Sequence, residues 1–309
     1  MVTPISRALV TGGAGFIGSH IVAALIEQGM AVAVVDNLST GLRQNLHPKA
    51  AFYQVALGAP ELAEVFRAQR PQAVFHLAAQ ASVSYSVRNP VEDATTNVLG
   101  SLNLLRQCEE FGVGAFVYSS TGGALYGEPE QLPCPETHPV RPLSPYGASK
   151  HAVESYVHCF AALAGFRATI LRYANVYGPR QNPEGEAGVV AIFAKRMLEG
   201  REVTIFGGGD QERDFVYVGD VAEANLRALQ QARGGVFNIG TGVGVSVNEV
   251  FQHLAALTGY KLKPQFQPTR PGDVYRIYLD NASARAGLGW SPSVSLEVGL
   301  SRTVYYLRG

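Results

Sequence analysis

Tyr146-Gly-Ala-Ser-Lys150 puts a phenol and an ammonium one helical turn apart. Residues i and i+4 share a helix face, so the two side chains reach one pocket. A free tyrosine loses its proton near pH ~10, too high for a base at neutral pH. A fixed positive charge beside it favours the phenolate, so Lys150 is expected to lower that value. Such a pair can take a proton from an alcohol while a redox cofactor takes the hydride. The spacing is common on exposed helices, and its weight comes from the amino-terminal loop.

That loop, Ala8-Leu-Val-Thr-Gly-Gly-Ala-Gly-Phe-Ile-Gly18, joins an apolar strand pattern to a helical one. Gly12, Gly15 and Gly18 let the backbone turn tightly, approach a pyrophosphate and pack helix on strand. Phe16 and Ile17 open the helix, whose unpaired N–H groups favour phosphate. Asp36 stands 18 residues beyond Gly18 at the end of a second strand, followed by Asn37, Leu38, Ser39, Thr40 and Gly41. A carboxylate there accepts from a ribose diol and repels a 2′-phosphate, which favours NAD over NADP.

These motifs need a scaffold. Continuous apolar runs at 7–11, 31–35, 73–77, 115–119 and 167–171 read as strands buried on both faces. Helical patterns fall between them at 16–28, 60–69, 90–111 and 145–164. Alternation of this kind predicts an α/β fold, a Rossmann-type doubly wound parallel sheet with ligands at one edge. Beyond Leu171 a Gly/Pro/Asn-rich loop, short strands at 203–206 and 236–239, and helices near 187–199, 247–257 and 296–307 predict a smaller, discontinuous carboxyl-terminal lobe. The expected division is 1–172 with 214–240 for the dinucleotide, and 173–213 with 241–309 for the substrate.

The 309 residues are 47% apolar and 16% charged, with zero formal net charge. Without a basic stripe or acidic run, nucleic acid and membrane surfaces are not expected partners. No apolar run approaches the ~20 residues that span a bilayer. Three scattered cysteines, Cys108, Cys134 and Cys159, suggest reduced thiols and a cytoplasmic location. His76 lies inside a strand pattern and is read as packed. The other histidines lack ligand spacing, so no metal is expected.

Further matches make the pattern specific: His76-Leu-Ala-Ala-Gln80, Ser119-Ser-Thr-Gly-Gly-Ala-Leu-Tyr-Gly127, Leu171-Arg-Tyr-Ala-Asn-Val-Tyr-Gly-Pro179, Arg213-Asp-Phe-Val216 and Arg270-Pro-Gly-Asp273. With the glycine loop, Asp36 and the Tyr–Lys pair, the chain resembles the extended short-chain dehydrogenase/reductase family over nearly its whole length. Within that family it is most similar to the NAD-dependent nucleotide-sugar epimerases that act at C4 of UDP-glucose and UDP-galactose.

The resemblance implies NAD as cofactor, Tyr146 as acid/base and Lys150 as the ligand of the nicotinamide ribose. It implies a sugar-orienting hydroxyl from Thr121 or, because Gly122-Gly123 shifts the alignment, from Ser120. Around the dinucleotide it implies Leu57, Leu77, Ala78, Ala79, Gln80, Asn97, Ser119, Tyr173 and Val176. Ala56 stands where relatives carry an aspartate toward adenine, a loss of one hydrogen bond worth ~1 kcal/mol.

For a UDP-sugar the resemblance implies Arg213 and Arg270 on the diphosphate, guanidinium groups suited to bidentate phosphate binding. Asp273 would accept from ribose, Asn175 would touch the diphosphate, Gly188 and Val189 would offer a helix amino terminus, and Ser84 would touch the hexose. A homodimer through the helix over 90–111 and the Tyr–Lys helix is expected by the same analogy. Val91, Ala94, Val98, Leu102 and Leu105 fall there at helical spacing. Ile277 stands where relatives that exclude N-acetylated sugars carry tyrosine, which leaves UDP-N-acetylglucosamine and UDP-glucuronate as alternatives. Dehydratases and decarboxylases of the group carry acids after the threonine, where this chain has Gly122-Gly123. A non-catalytic NAD-binding sensor would be expected to lack Tyr146 or Lys150.

Overall fold

A computed structural model describes residues 5–184, 188–231, 233–269 and 274–309. In chain order the first part runs β1 (Arg7–Thr11), α1 (Phe16–Glu27), β2 (Ala31–Val35), β3 (Ala51–Tyr53), α2 (Leu62–Gln69) and β4 (Ala73–His76). It continues with α3 (Val83–Arg88), α4 (Pro90–Ala94), α5 (Gly100–Glu110), β5 (Ala115–Thr121), α6 (Pro145–Ala164) and β6 (Arg167–Tyr173). Then come β7 (Asn175–Tyr177), α7 (Val189–Leu198), β8 (Thr204–Phe206), β9 (Glu212–Arg213), β10 (Phe215–Tyr217), α8 (Val218–Gln230) and β11 (Gly235–Ile239). The chain closes with β12 (Val245–Ser246), α9 (Val247–Thr258), β13 (Gln265–Gln267), β14 (Arg276–Ile277), α10 (Ala282–Leu288) and α11 (Leu296–Arg308).

The main sheet has seven strands in the order β11-β6-β5-β4-β1-β2-β3. β1 pairs in parallel with β2 on one side and β4 on the other. The strand order therefore reverses beside β1, the switch point where open α/β sheets bind ligands. The doubly wound α/β fold expected from the strand–helix rhythm is the observed one. The strands of this sheet are largely apolar, as expected of strands covered by helices on both faces. Leu9, Val74, Phe116 and Ile170 are buried in one cluster with Leu62, Phe66, Leu104, Val153 and Val157.

The chain divides into two compact units. One comprises residues 1–121, 144–172 and 222–237, the other 122–143, 173–221 and 238–309. These boundaries differ from the functional division read from sequence at 122–143, 214–221 and 238–240. The reason is packing: Leu125, Tyr126 and Cys134 form a cluster with Val274, Ile277 and Leu279 of the second unit. The larger core of that unit gathers Val190, Phe193, Met197, Ile205, Phe215, Val250, Leu254, Leu300 and Val304.

The pattern at 90–111 predicts one helix, and the structure breaks it. Thr95–Leu99 forms a π-helical turn between α4 and α5. Hydroxyls flank the widened turn: Thr95 Oγ1 donates to Val91 O at 2.8 Å, and Ser101 Oγ donates to Asn97 O. Back-bonding of this kind competes with the helical ladder and bends it. The apolar stripe splits as a result. Leu105 is fully buried in the core, whereas Val91 and Leu99 are exposed.

His76, at the end of β4, ties these parts together. Thr11 Oγ1 accepts from Leu77 N and Ala78 N at 3.2 Å each, so its proton is available to His76 Nδ1 at 2.8 Å. His76 Nε2 then donates to Ser101 Oγ at 2.7 Å. Burial, with the Lys150 charge as a second cause, pushes the imidazole down to about 3. The histidine is packed and neutral, as its strand position suggests.

A depressed folded value makes the stability contribution full above the ordinary histidine value of 6.5 and lost as pH falls toward about 3. In that window the unfolded chain takes up a proton that the folded chain refuses. Denaturant unfolding of His76→Gln across this range is expected to show a slope against pH shallower than wild type by up to about 1.4 kcal/mol per pH unit. Parallel curves would show that His76 is not the group responsible.

Candidate active site

The glycine loop and β2 shape the cofactor end in the first unit. Gly12 adopts φ +70°, and a Cβ there would come within 2.7 Å of Ala78 N, so only glycine lets the loop lie against the exit of β4. Gly18 faces Gly12 O just as closely. Gly15 caps α1 without a side-chain bond, and the first turn carries no acid, leaving its N–H groups for an anion. Asp36 is buried; Oδ2 accepts from Ala14 N at 3.0 Å and Oδ1 from Leu38 N at 2.8 Å. Each oxygen keeps a lone pair, which suits a ribose diol.

Phe16 and Ile17 are half-buried at the start of α1, and Asn37, Ser39 and Thr40 are exposed around half-buried Leu38 and buried Gly41. Leu57 packs into the core, its carbonyl accepting from Asn103 Nδ2 at 2.7 Å. Leu77, Ala78, Ala79 and Gln80 lie half-buried on the loop after β4, and Ser119 is buried in β5. These residues fit a dinucleotide with a free 2′-hydroxyl: bare backbone for the pyrophosphate and an acid for the ribose.

The reactive centre lies on β5 and α6 of the same unit. Ser144 caps α6, accepting from Gly147 N at 3.2 Å, with Pro145 in the first turn and Gly165 closing the helix at φ +76°. These signals fix the helix start and thereby place Tyr146 in its first turn. Tyr146 N donates to Ser86 Oγ of α3 at 3.1 Å. The Thr121 side chain at the end of β5 acts on the Tyr146 hydroxyl, favouring its ionised form. Ser120, its neighbour, instead donates to Glu154 Oε1 at 2.6 Å, and Glu154 is clamped by Arg172 Nε at 2.9 Å and Nη2 at 2.6 Å. The two candidate hydroxyls thus have different partners.

Lys150 is buried, its ammonium 4.7 Å from the centre of the Tyr118 ring. Burial lowers it to about 8, against the Glu154 and Asp93 charges, which raise it. Tyr146 is pushed up to about 12, first by burial and then by Asp93, while Thr121 pulls it down. The expected lowering by Lys150 is not seen: burial and then the Asp93 charge raise Tyr146, and the one group that lowers it is Thr121.

Asn97, in the π turn, shares its Nδ2 hydrogens among Gln80 O, Asp93 Oδ1 and Ser149 Oγ, at 2.9, 3.1 and 3.2 Å. Gln80 N donates back to Asn97 Oδ1 at 2.8 Å. Asp93 and Ser149 adjoin Asn97 in this cluster, and sequence reasoning did not pick them out. The available signal was Asp93 placed four residues before Asn97, a carboxylate on the inward face of a helix. Ser84, half-buried in α3, lies 3.4 Å from the Ser82 hydroxyl.

The remaining residues belong to the second unit. Tyr173 is buried, and Val176 lies half-buried in β7. Asn175 opens β7, its N–H donating to Asp214 O at 2.8 Å. Gly188, at φ +107°, caps α7 without a side-chain bond, and Val189 begins that helix. Arg213 in β9 donates from Nη1 to Glu212 O at 2.9 Å and Tyr275 O at 3.2 Å. Next to it Asp214 is buried, receiving bonds from Thr241, Gly242 and Leu279, with burial pushing it up. Arg270 and Asp273 lie outside the described residues. Among the described residues no group of three or more His, Cys, Asp or Glu could hold a metal, and no helix is long and apolar enough to cross a membrane.

This geometry agrees with what the chain is similar to. The UDP-glucose 4-epimerase of Mycolicibacterium smegmatis is 44% identical over 308 residues, covering 98% of each chain. The crystal structure of the Thermotoga maritima UDP-glucose 4-epimerase with UDP-glucose is 54% identical, with a TM-score of 0.96 and 98% of each chain covered. The Thermus thermophilus UDP-glucose 4-epimerase, in complex with NAD, is 49% identical with a TM-score of 0.93, covering 98% of this chain and 99% of that one. Residues 8–240 match the family described as NAD dependent epimerase/dehydratase, and with the glycine loop, Asp36 and the Thr121–Tyr146–Lys150 cluster in place, the chain belongs to that family.

Proposed function

We propose that the chain is a UDP-glucose 4-epimerase, interconverting UDP-glucose and UDP-galactose by transient oxidation at C4 with retained NAD. The observation that carries the reading is Tyr146 on the first turn of α6, acted on by the Thr121 side chain at the end of β5, with buried Lys150 one turn along the same helix. NAD, when bound, supplies the acceptor and then the donor of the C4 hydride, and its oxidised ring brings a positive charge. Tyr146 Oη takes the proton of the sugar 4-hydroxyl and returns it on the other face. Thr121 orients that hydroxyl, and Lys150 holds the nicotinamide ribose. The division into residues 1–172 with 214–240 for NAD and 173–213 with 241–309 for UDP-sugar belongs to this reading. So do Arg213, Asn175, Gly188, Val189, Arg270 and Asp273 as anchors of the nucleotide.

A dehydratase or decarboxylase reading is disfavoured by packing as well as by sequence. A Cβ on Gly122 would meet the buried Leu279 side chain, so an acid after Thr121 would require that leucine to shift. A sensor reading is disfavoured by the retained Tyr146 and Lys150. The same reading includes a cytoplasmic setting, favoured by cysteines that are all free, and a homodimer. The dimer is supported by exposed Val87, Val91, Leu99, Tyr156 and Leu163 on neighbouring helices of the first unit.

Incubation with UDP-galactose is expected to yield UDP-glucose, in preference to turnover of UDP-N-acetylglucosamine or UDP-glucuronate. Tyr146→Phe is expected to lose about a thousandfold or more in rate with NAD still bound. Thr121→Ala is expected to lose about a hundredfold. Ser120→Ala is expected to stay within about threefold of wild type in kcat while losing about 1–2 kcal/mol of stability. A larger rate loss in Ser120→Ala than in Thr121→Ala would reverse the assignment of the hydroxyl. Light scattering at micromolar concentration is expected to give twice the chain mass, and a monomer would remove the dimer.

A further inference from the structure

Asp214 is a buried carboxylate of the second unit that the proposed reaction leaves without a role. It is 1% exposed, at the corner where β9 passes into β10. Oδ1 accepts from Thr241 N at 2.8 Å and Thr241 Oγ1 at 2.6 Å. Oδ2 accepts from Gly242 N and Leu279 N, each at 3.1 Å. The peptide groups are engaged as well: Asp214 N donates to Ile277 O at 3.1 Å, and Asp214 O accepts from Asn175 N at 2.8 Å. Gly240 lies against the same side chain, where a Cβ would collide with Oδ2. One residue therefore joins the start of β7, the turn after β11 and the segment that follows β14.

The arrangement asks for a carboxylate rather than an amide. Four donors converge on its two oxygens, and three of them are backbone N–H groups that cannot turn round. An asparagine would offer one oxygen and one NH2 group, so at least one backbone N–H would face another donor whichever way it lay. What the carboxylate holds is the frame of two residues read above as nucleotide anchors. Arg213 is the preceding residue, in register with Val245 of β12 and Ile277 of β14. Asn175 is bonded through its N–H to the Asp214 carbonyl. We propose that Asp214 is a positioning residue for the nucleotide: its carboxylate fixes the corner from which Arg213 and Asn175 reach the diphosphate. The proposal rests on the assignment of those two residues as anchors. Guanidinium groups bind phosphate through a fixed planar fork, so a shifted strand loses the match. The diphosphate is gripped alike while the sugar is oxidised and reduced. Loss of that grip removes binding common to ground and transition states, which raises KM and leaves kcat.

The test separates nucleotide from cofactor. In the full-length chain, calorimetry reads the Kd of UDP, and absorbance after gel filtration reads the NAD retained. Asp214→Asn is expected to weaken UDP about tenfold and to raise KM for UDP-galactose by a similar factor. Its kcat is expected to stay within about threefold of wild type, with NAD content unchanged. Thr241→Val removes one donor and leaves the carboxylate, so it carries the test where Asp214→Asn does not fold. UDP is then expected to weaken about threefold, while Thr241→Ser, which keeps the hydroxyl, matches wild type. A folded Asp214→Asn that binds UDP as wild type does would overturn the proposal; should it not fold, a Thr241→Val that does so would overturn it equally. A fall in kcat or NAD content as large as the loss of UDP would also overturn it, being the mark of a merely structural role. Wild type that binds UDP without turning over UDP-galactose would count against the proposed activity alone. Wild type that binds no UDP would sink the UDP-sugar reading and this proposal with it.

Discussion

An ammonium kept away from water is the constraint around which the first unit is arranged. Removing such a charge from solvent costs several kcal/mol unless nearby groups offset it. Lys150 meets that cost with the face of Tyr118, the field of Glu154 and the field of Asp93. These groups come from β5, α6 and α4, so the sheet and its helices must be correctly assembled before the lysine can be buried. The clamp of Arg172 on Glu154 extends the network to β6. A polar network of this kind, once satisfied, specifies one arrangement of its elements, and a partly formed one is heavily penalised.

The same field separates two bases that would otherwise compete for protons. His76 and Lys150 lie near one another, and the lysine charge adds to burial in keeping the imidazole neutral. A neutral ring can accept at Nδ1 and donate at Nε2, which the chain from Thr11 to Ser101 requires. Protonation would put two donors face to face at Thr11, whose own proton already points at the ring. The histidine therefore joins the glycine loop to the π turn as a hydrogen-bonding post, and the Asn97 carbonyl, accepting from Ser101, anchors its far end.

What the sequence showed and what it hid follow from where each element gets its stability. β1, β2, β4, β5 and β6 were legible because strands covered on both faces are apolar along most of their length. The bounds of α6 were legible because Pro145 and Gly165 bracket it locally. β3, with three residues, and β9, with two, carry no pattern of their own. β9 exists because β12 and β14 pair with its two residues. The π turn escaped because periodicity across 90–111 is nearly helical on both sides, and the deviation comes from hydroxyls whose choice of acceptor depends on the packed context. In the site, Tyr146, Lys150 and Asp36 were legible by spacing. The choice between Ser120 and Thr121 was not, because adjacent hydroxyls at a strand end differ only in the neighbours that folding brings to them. Asp93 belonged to no motif, so only its burial and its partners reveal it.

The clearest signal of function in this chain is a helix that carries a polar column on its inward face, beside core valines. Along α6, Tyr146, Lys150 and Glu154 recur every four residues and so form one column. A column of phenol, ammonium and carboxylate would be placed at the surface by hydropathy alone. Here Lys150 and Glu154 are buried together with Gly147, Ser149, Val153 and Val157, while Tyr156 and Leu163 face outward. Turning the helix to bring Tyr156 and Leu163 inside would release the charges to water while taking Val153 and Val157 out of the core. What further opposes it is the set of partners already waiting in the interior: Thr121, Tyr118, Ser120 and Arg172 on the strands, and Ser86 on α3. Because each partner is itself buried and polar, a rotated helix would leave every one of them unsatisfied at once. The inward polar face is thus stable only as a complete set, which is how a fold can keep a titratable cluster dry.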